Sequence, residues 1–439
     1  MDNARKIIAA GAGHGALSAA ITLAKNGYDV TVYEKSSEKD IGLDWHDAMS
    51  LPAFDFAGIE RLPKDKYEPL AQMAFKNPKK NIKLVGADGG PDSMAITIDR
   101  KELLHHLISI AENAGVKFEF NTEITGAAVA GDSVCGIKIK NGDGEKIIYG
   151  DLVIDGCGVN SPVRRSLPEK MGILNEVSPE DLFYVYRAYY NKIDDTKTDP
   201  IYTVYFYHMY RAGLDWVITG DDFVDLLIGK FSPITMDEVN EAVRDFKTEY
   251  SCLGDEIIRG GTLNVIPIRK TLPIIVANGY AAIGDSACMT VPLNGSGIDL
   301  SLKAGNLLAG AVMSAKDNEY TVDRLWSYQY RYFKMFGNDL LIIDAARGLL
   351  TKVDPNTVDF FMENKILTEK EIALVDTNLS VSAGYLISKL KAVLPKSSEL
   401  LPMLTATVKK AVNTITAAQN IPLVYNEDAV RAWAKNYEG

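Results

Sequence analysis

The sequence predicts an α/β chain. A Rossmann-like nucleotide-binding domain is interrupted by an antiparallel β-sheet domain and followed by a helical C-terminal region. Three observations carry this expectation. The stretch GAGHGA, Gly11 to Ala16, stands between an apolar run and a helical pattern. Residues 183–231 are a series of aromatic-rich alternating runs. Beyond Asn306 the apolar spacing becomes almost entirely helical.

Lys6 to Ala10, KIIAA, reads as a short buried strand. From Ala16 to Asn26 the residues Leu17, Ala20, Ile21 and Ala24 recur at helical spacing, and Gly27 suits the helix C-terminus. DVTVYE then alternates as a second strand ending at Glu34. The glycines therefore sit at a strand-to-helix turn of a βαβ unit, with an acidic residue about 20 positions on. In such a unit Gly11 permits the tight turn and Gly13 the approach of a pyrophosphate. Ala16 lets helix pack on strand, and Glu34 accepts from a ribose hydroxyl. The helix start offers free N–H groups and partial positive charge to phosphate. For the glycines alone, a plain structural turn competes with this reading.

Asp99 to Gly115, DRKELLHHLISIAENAG, is an amphipathic helix with a glycine stop. KFEF, EITGAAVA, VCGIKIK and KIIYGDLVID follow as strands, with a hairpin turn at Asn141-Gly142-Asp143-Gly144. FYVYRAYY, IYTVYFYHMY, DWVITG and FVDLLIGKF form a second sheet. Tail helices such as AGYLISKLKAVL and MLTATVKKAVNTI carry lysines. Such faces allow peripheral contact with an anionic membrane, or simply solvate a core. The expected division assigns 1–50, 99–170 and 266–312 to the nucleotide domain. It gives 51–98 to an insertion, 171–265 to the substrate sheet and 313–439 to the helical region.

The 439 residues are 47 % hydrophobic, enough for more than one core, and the net charge is −11. That balance argues against a nucleic-acid partner. No uninterrupted apolar stretch has membrane-spanning length. The N-terminus is basic then apolar, but its apolar part is the glycine-punctuated first strand and helix, which disfavours a signal peptide. Cys135, Cys157, Cys252 and Cys288 lie far apart, without a CxxC pair. This fits a reducing cytoplasm and gives no zinc site. His105 and His106 are helix neighbours that point apart.

Two further segments separate FAD from NAD. In DLVIDGCGVNSPVRRSL, Asp151 to Leu167, a strand ends at Asp155-Gly156 and a turn carries Asn160, Ser161 and Arg164. In GYAAIGDSACMTVPLNGSGIDLSLKAGNLLA, Gly279 to Ala309, a strand ends at Gly284-Asp285, a loop holds Pro292, and Gly295-x-Gly297 opens a helix. An Asp at a strand end can accept from ribityl hydroxyls. A glycine-rich helix start can set N–H groups against the flavin pyrimidine edge. An NAD site needs neither.

The βαβ fingerprint, the DG segment and the GD segment, in this order, resemble the FAD-dependent superfamily of aromatic-ring hydroxylases and geranylgeranyl reductases. The resemblance implies FAD held at Gly11, Ala12, Gly13, His14, Gly15, Ala16, Glu34, Lys35, Gly284, Asp285, Pro292, Gly295, Gly297 and Ile298. It adds Arg100, in IDRKELLHHL, where the family often places an Arg near the pyrophosphate. YRAGLDWVITGDDFVDLLIGKF, Tyr210 to Phe231, is similar to the substrate-sheet signature of the geranylgeranyl reductase branch. Trp216 is kept there, and Ile218-Thr219 replaces the usual Phe-Pro. IGLDWHDAMS, Ile41 to Ser50, resembles the branch segment in which a Cys-Gly pair stands where this chain has Trp45 and His46. The tail segment YQYRYFKMFGNDL also fits this branch.

Trp45, His46 and Asp47 lie in the loop expected to reach the flavin. His46 or Asp47 is the candidate donor of the proton that accompanies hydride transfer to a C=C bond. Trp45, Tyr205, Tyr207 and Trp216 are the candidate substrate contacts, although most tyrosines of the second sheet are expected to pack. The leading expectation is an FAD-dependent reductase or dehydrogenase acting on an unsaturated hydrophobic small molecule. An NAD(P)H- and O₂-dependent flavin monooxygenase stands beside it. So does a flavin-binding subunit that exchanges electrons with a redox protein.

Overall fold

The computed structural model describes residues 5–85, 94–315, 319–369 and 401–438. Of the two tail segments, AGYLISKLKAVL lies outside the described residues, and MLTATVKKAVNTI falls within the helix Leu401–Gln419.

The strand Lys6–Ala10 lies inside a six-stranded sheet. It pairs in parallel with Asp29–Tyr33 on one side and Leu152–Asp155 on the other. Both faces are covered, so Ile7 to Ala10 have no solvent exposure. A strand buried on both faces reads as an apolar run rather than an alternation. Gly11, at φ +83°, turns the chain into the helix His14–Lys25. This helix crosses Ile298–Ser314 so closely that a Cβ on Gly305 would meet the Ser18 side chain at 2.5 Å. At the crossing Ser18 Oγ donates to the Leu302 carbonyl at 2.8 Å. The starts of both helices line one cleft.

The strand His46–Ser50 pairs antiparallel with Ala95–Asp99, His46 opposite Asp99. Ala95–Asp99 runs straight into the helix Arg100–Asn113. The Asp99 carboxylate caps that helix by accepting from the N–H groups of Lys101 and Glu102. The chain between the two strands thus leaves and returns at one place.

The second sheet has seven strands, ordered Leu253–Pro267, Leu182–Lys192, Phe223–Lys230, Leu214–Thr219, Tyr202–Phe206, Met73–Lys76 and Lys83–Val85. It is antiparallel except where Tyr202–Phe206 meets Met73–Lys76. The parallel pair arises because the outer two strands come from earlier in the chain. One face is covered by the helix Met236–Glu249, opened by a Thr235/Glu238 capping box, whose Phe246 packs with Tyr186, Tyr205 and Leu226 of the sheet. On the other face Trp45 packs against Phe183, Val185, Tyr189 and Leu227. In the tail, Trp433 stacks on Tyr437, Phe333 meets both rings edge-on, and Tyr437 donates to the Thr271 carbonyl at 2.9 Å. Among the described residues no helix is long and apolar enough to cross a membrane.

Candidate active site

The cleft where the two helices open has a volume of about 370 Å³. Ala12, Gly13, His14, Gly15, Ala16, Glu34, Lys35 and Arg100 line it from one side. Gly284, Asp285, Gly295, Gly297 and Ile298 line it from the other. Gly11 and Pro292 are outside this lining. Gly11 acts on the turn itself, since a Cβ there would fall 2.8 Å from the Gly156 carbonyl oxygen. Pro292 is buried within the loop that precedes Ile298–Ser314.

Several polar features of the cleft await a ligand. Neither helix start, at Gly13 or at Gly297, carries a side-chain cap. Each therefore presents backbone donors and a positive dipole end. The Asp285 carboxylate takes no hydrogen bond from the described residues. Burial raises its pKa, and Arg100 only partly counters this. A half-buried acceptor on the cleft wall suits ligand hydroxyls. His14 Nε2 is also buried without a partner. Burial, aided by Arg100, lowers the His14 pKa to about 4, so the ring is neutral at pH 7. Glu34 accepts from the N–H groups of Ala12 and Ser36, both at 2.9 Å, which holds its carboxylate at the cleft edge.

Asp155, by contrast, is saturated by the protein. It accepts from the Cys157 N–H and from the hydroxyls of Ser161, Tyr280 and Ser286, and it has no exposure. Its work is to tie the DG turn to the GD turn.

A second pocket, of about 240 Å³, opens against the sheet. Trp45, Arg100, Ile266, Gly295, Gly297 and Ile298 line both cavities, so the two are contiguous. The far end of the pocket is apolar, with Met73, Phe75, Tyr202, Val204, Phe206 and Leu214. His46 and Asp47 stand nearer the junction, beside Arg100. Trp216 lines this pocket. Tyr205 and Tyr207 do not, which corrects the sequence expectation. Strand alternation sends Tyr202, Val204 and Phe206 to the pocket face and Tyr205 to the opposite one. There the Tyr205 hydroxyl meets Glu249 at 2.6 Å and Tyr250 at 2.7 Å. Tyr207 packs with Val353, Val358, Phe361 and Met362.

Asp47 is clamped by Arg100, with Arg100 Nη2 donating at 2.8 Å. Burial alone would raise the carboxyl pKa, but the guanidinium outweighs it and holds it below its ordinary value. Asp47 is thus ionised and paired with Arg100. His46 is more available. Its pKa is lowered by burial and then by Arg259. The Tyr189 hydroxyl accepts the His46 backbone N–H at 2.8 Å and lies 3.1 Å from Nδ1. That hydroxyl thus fixes the His46 backbone and one edge of its ring, leaving Nε2 as the ring nitrogen not engaged by Tyr189.

Two features were not anticipated from sequence. Arg187 is buried on the pocket wall, bound through Nε and Nη2 to Asp225, and its Nη1 donates to the His46 carbonyl at 2.6 Å. Asp299 accepts from both the backbone N–H and the hydroxyl of Ser50, fastening the His46–Ser50 strand to the start of Ile298–Ser314. An Arg and an Asp inside otherwise apolar neighbouring strands were the available signal for the first.

Comparison with known proteins agrees with this geometry. The family described as "FAD binding domain" matches residues 5–209. Digeranylgeranylglycerophospholipid reductase 2 of Methanococcoides burtonii is 26 % identical over 419 residues, 90 % of this chain and 93 % of that protein. Digeranylgeranylglycerophospholipid reductase of Sulfolobus acidocaldarius is 23 % identical over 270 residues, 57 % of this chain and 59 % of the relative. A geranylgeranyl bacteriochlorophyll reductase-like protein of Thermoplasma acidophilum superposes with a TM-score of 0.74 at 20 % identity, covering 92 % of this chain and 99 % of that one. Residues 5–209 thus match an FAD-binding domain, and the chain as a whole is similar to FAD-dependent oxidoreductases of the geranylgeranyl reductase-like branch. Its cofactor is FAD. The uncapped helix starts and the unpartnered Asp285 of this oxidoreductase fit that cofactor's phosphates and hydroxyls.

Proposed function

We propose that this FAD-dependent oxidoreductase is a reductase acting on an unsaturated bond of a hydrophobic small molecule. The observation that carries this reading is the continuity of the apolar pocket with the cofactor cleft at Trp45, Arg100 and Gly295 to Ile298. The names of the relatives support the reductive direction.

In this reading the helix start at Gly13 to Ala16 binds the pyrophosphate, with Arg100 near it. Glu34, with Lys35 beside it, takes the adenosine ribose. Asp285 takes ribityl hydroxyls, and Gly295, Gly297 and Ile298 flank the flavin ring. FAD held there would supply, in its reduced form, the hydride. The protein orients the substrate on the Trp45–Trp216 wall, excludes water with the apolar far end, and provides the accompanying proton from His46. The lowered pKa makes protonated His46 a stronger acid than free histidine and, for the same reason, a less populated form, so donation should gain as pH falls. Asp47 keeps Arg100 in place.

The test is single-turnover mixing of photoreduced holoenzyme with unsaturated candidates under anaerobic conditions. Flavin reoxidation with a product two hydrogens heavier is expected. Strict dependence on O₂, with an oxygen atom in the product, would establish a monooxygenase instead. Reoxidation by a redox protein alone would make the chain an electron-transfer subunit.

A further inference from the structure

The edge strand Leu253–Pro267 pairs unevenly with Leu182–Lys192. Arg187 stands opposite Thr262 and Ala188 opposite Gly260, which leaves Gly261 out of the ladder as a bulge. Gly260 and Gly261 have φ of +74° and +81°, and a Cβ on Gly260 would fall 2.8 Å from the Arg187 carbonyl oxygen. A bulge beside a site re-aims a neighbouring side chain. Here that side chain is Arg259, opposite Tyr189 in the ladder. Its guanidinium carbon lies 5.3 Å from the Tyr189 ring centroid, its Nε donates to Asp44 at 2.7 Å, and its Nη2 donates to Asp99 Oδ2. Asp99 Oδ1 is taken by the N–H groups of Lys101 and Glu102. Both oxygens of Asp99 are thus engaged. His46 Nε2 stands 3.9 Å from the same Oδ2, beyond hydrogen-bond reach, while Nδ1 faces the Tyr189 hydroxyl. The His46 side chain is 33 % exposed, and its Nε2 makes no hydrogen bond among the described residues.

We infer that Arg259 is a positioning residue for the proton step: by occupying Asp99 Oδ2 it keeps His46 Nε2 out of an Asp–His pair and free to give up its proton. The inference rests on the reductase reading, in which His46 supplies that proton, and names the residue that keeps it transferable. A carboxylate bonded to the ring would hold the proton there, since an opposite charge at contact favours the protonated form. An acid held that way is a weaker donor. Among the described residues, Asp99 is the only carboxylate within ion-pair distance of the ring. The other charges around His46 are balanced among themselves. Arg187 is paired with Asp225, Asp47 with Arg100, and Asp44 with Arg259 and, at 3.5 Å, with Lys101. The Tyr189 hydroxyl is the remaining titratable neighbour, and burial raises its pKa, so it stays neutral.

The test is the titration of His46 in oxidised FAD-loaded protein carrying isotope-labelled histidine, followed by NMR, with His46→Gln assigning the resonance. Arg259→Gln frees Asp99 Oδ2, and the His46 midpoint is expected to rise by about 1 pH unit. Arg259→Lys keeps the charge and one bond to Asp99, and should stay near the parent. Asp99→Asn retains the helix cap. It should move the midpoint little while Arg259 is present, and lower it by about 1 pH unit in the Arg259→Gln background. Flavin absorbance confirms loading, and Arg259→Met takes the place of Arg259→Gln if the latter loses FAD. A His46 midpoint that is unchanged or lower in Arg259→Gln would overturn the inference. So would equal shifts on Asp99→Asn in the two backgrounds, which would reduce Arg259 to a distant charge. The midpoints are read without turnover, so they hold or fail separately from the reductase reading, which the anaerobic assay decides.

Discussion

Replacing Asp225 by Asn isolates the charge buried under the pocket. The Asp225 side chain is 1 % exposed and that of Arg187 is 6 % exposed. The carboxylate receives Nε at 2.9 Å and also Nη2. Burial alone would lower the Arg187 pKa, but Asp225 raises it above its ordinary value, so the guanidinium stays charged. Asp225→Asn removes the counter-charge and turns an amide group toward one of the donors. Breaking such a pair leaves a buried charge alone and costs about 3–5 kcal/mol. For a sheet unit of this size that is a fall of about 10 °C in Tm. The double variant Arg187→Met with Asp225→Leu removes the charge together with its partner. It should recover most of the loss, because a buried pair is worth little more than well-packed apolar residues. Tryptophan fluorescence during thermal unfolding reads both, since Trp45 and Trp216 flank Arg187. A single variant within about 1 kcal/mol of the parent, or a double variant no better than the single, would refute the reasoning.

Gly13→Val should abolish FAD uptake by refolded apoprotein, because even a Cβ there lies 3.1 Å from the Gly156 carbonyl oxygen at the mouth of the cleft. Asp285→Ala should weaken FAD binding by about tenfold in the same titration, since it removes an acceptor without blocking the space. Tyr205→Phe should leave ligand affinity intact and lower stability by about 1–2 kcal/mol, because its hydroxyl serves Glu249 and Tyr250; Phe206→Ala should do the opposite to affinity. His14 has a folded-state pKa of about 4 against 6.5 unfolded. Below pH 6.5 the unfolded chain binds the extra proton first, so apoprotein stability should fall as pH drops from about 6.5 to 4, and His14→Gln should flatten that fall in denaturant titrations.

The cofactor half was legible because local pattern and global role coincide there. A glycine turn between a fully apolar strand and a helix has few other uses, and the GD segment repeats the device at a second helix start. The substrate half was less legible. An aromatic strand announces itself as a strand, but not which parity faces the ligand. Tyr205 was plausible by composition and lay on the wrong side of the pleat, while Tyr207 falls just past the strand end, at φ +50°, and packs with Val358 and Phe361. Parity is set by which face the helix Met236–Glu249 covers, and that is a tertiary fact. The same limit hid the Arg187–Asp225 pair. The two residues are not directly opposite in the ladder, where Arg187 faces Leu227 and Tyr189 faces Asp225. The grip of Arg100 on Asp47 was hidden for the same reason, being a contact made by strand pairing across more than fifty residues.

The ladder between His46–Ser50 and Ala95–Asp99 has an evolutionary consequence. His46 and Asp47 sit on one of its strands, and Arg100 follows directly on the other. Everything between is a detour that begins and ends at this clasp, and part of it builds the outer strands beside Tyr202–Phe206. Met73 and Phe75, at the pocket's far end, belong to that detour. Descendants of this chain can therefore lengthen, shorten or recolour the detour, trading one ligand tail for another, while the residues at the cofactor junction keep their register.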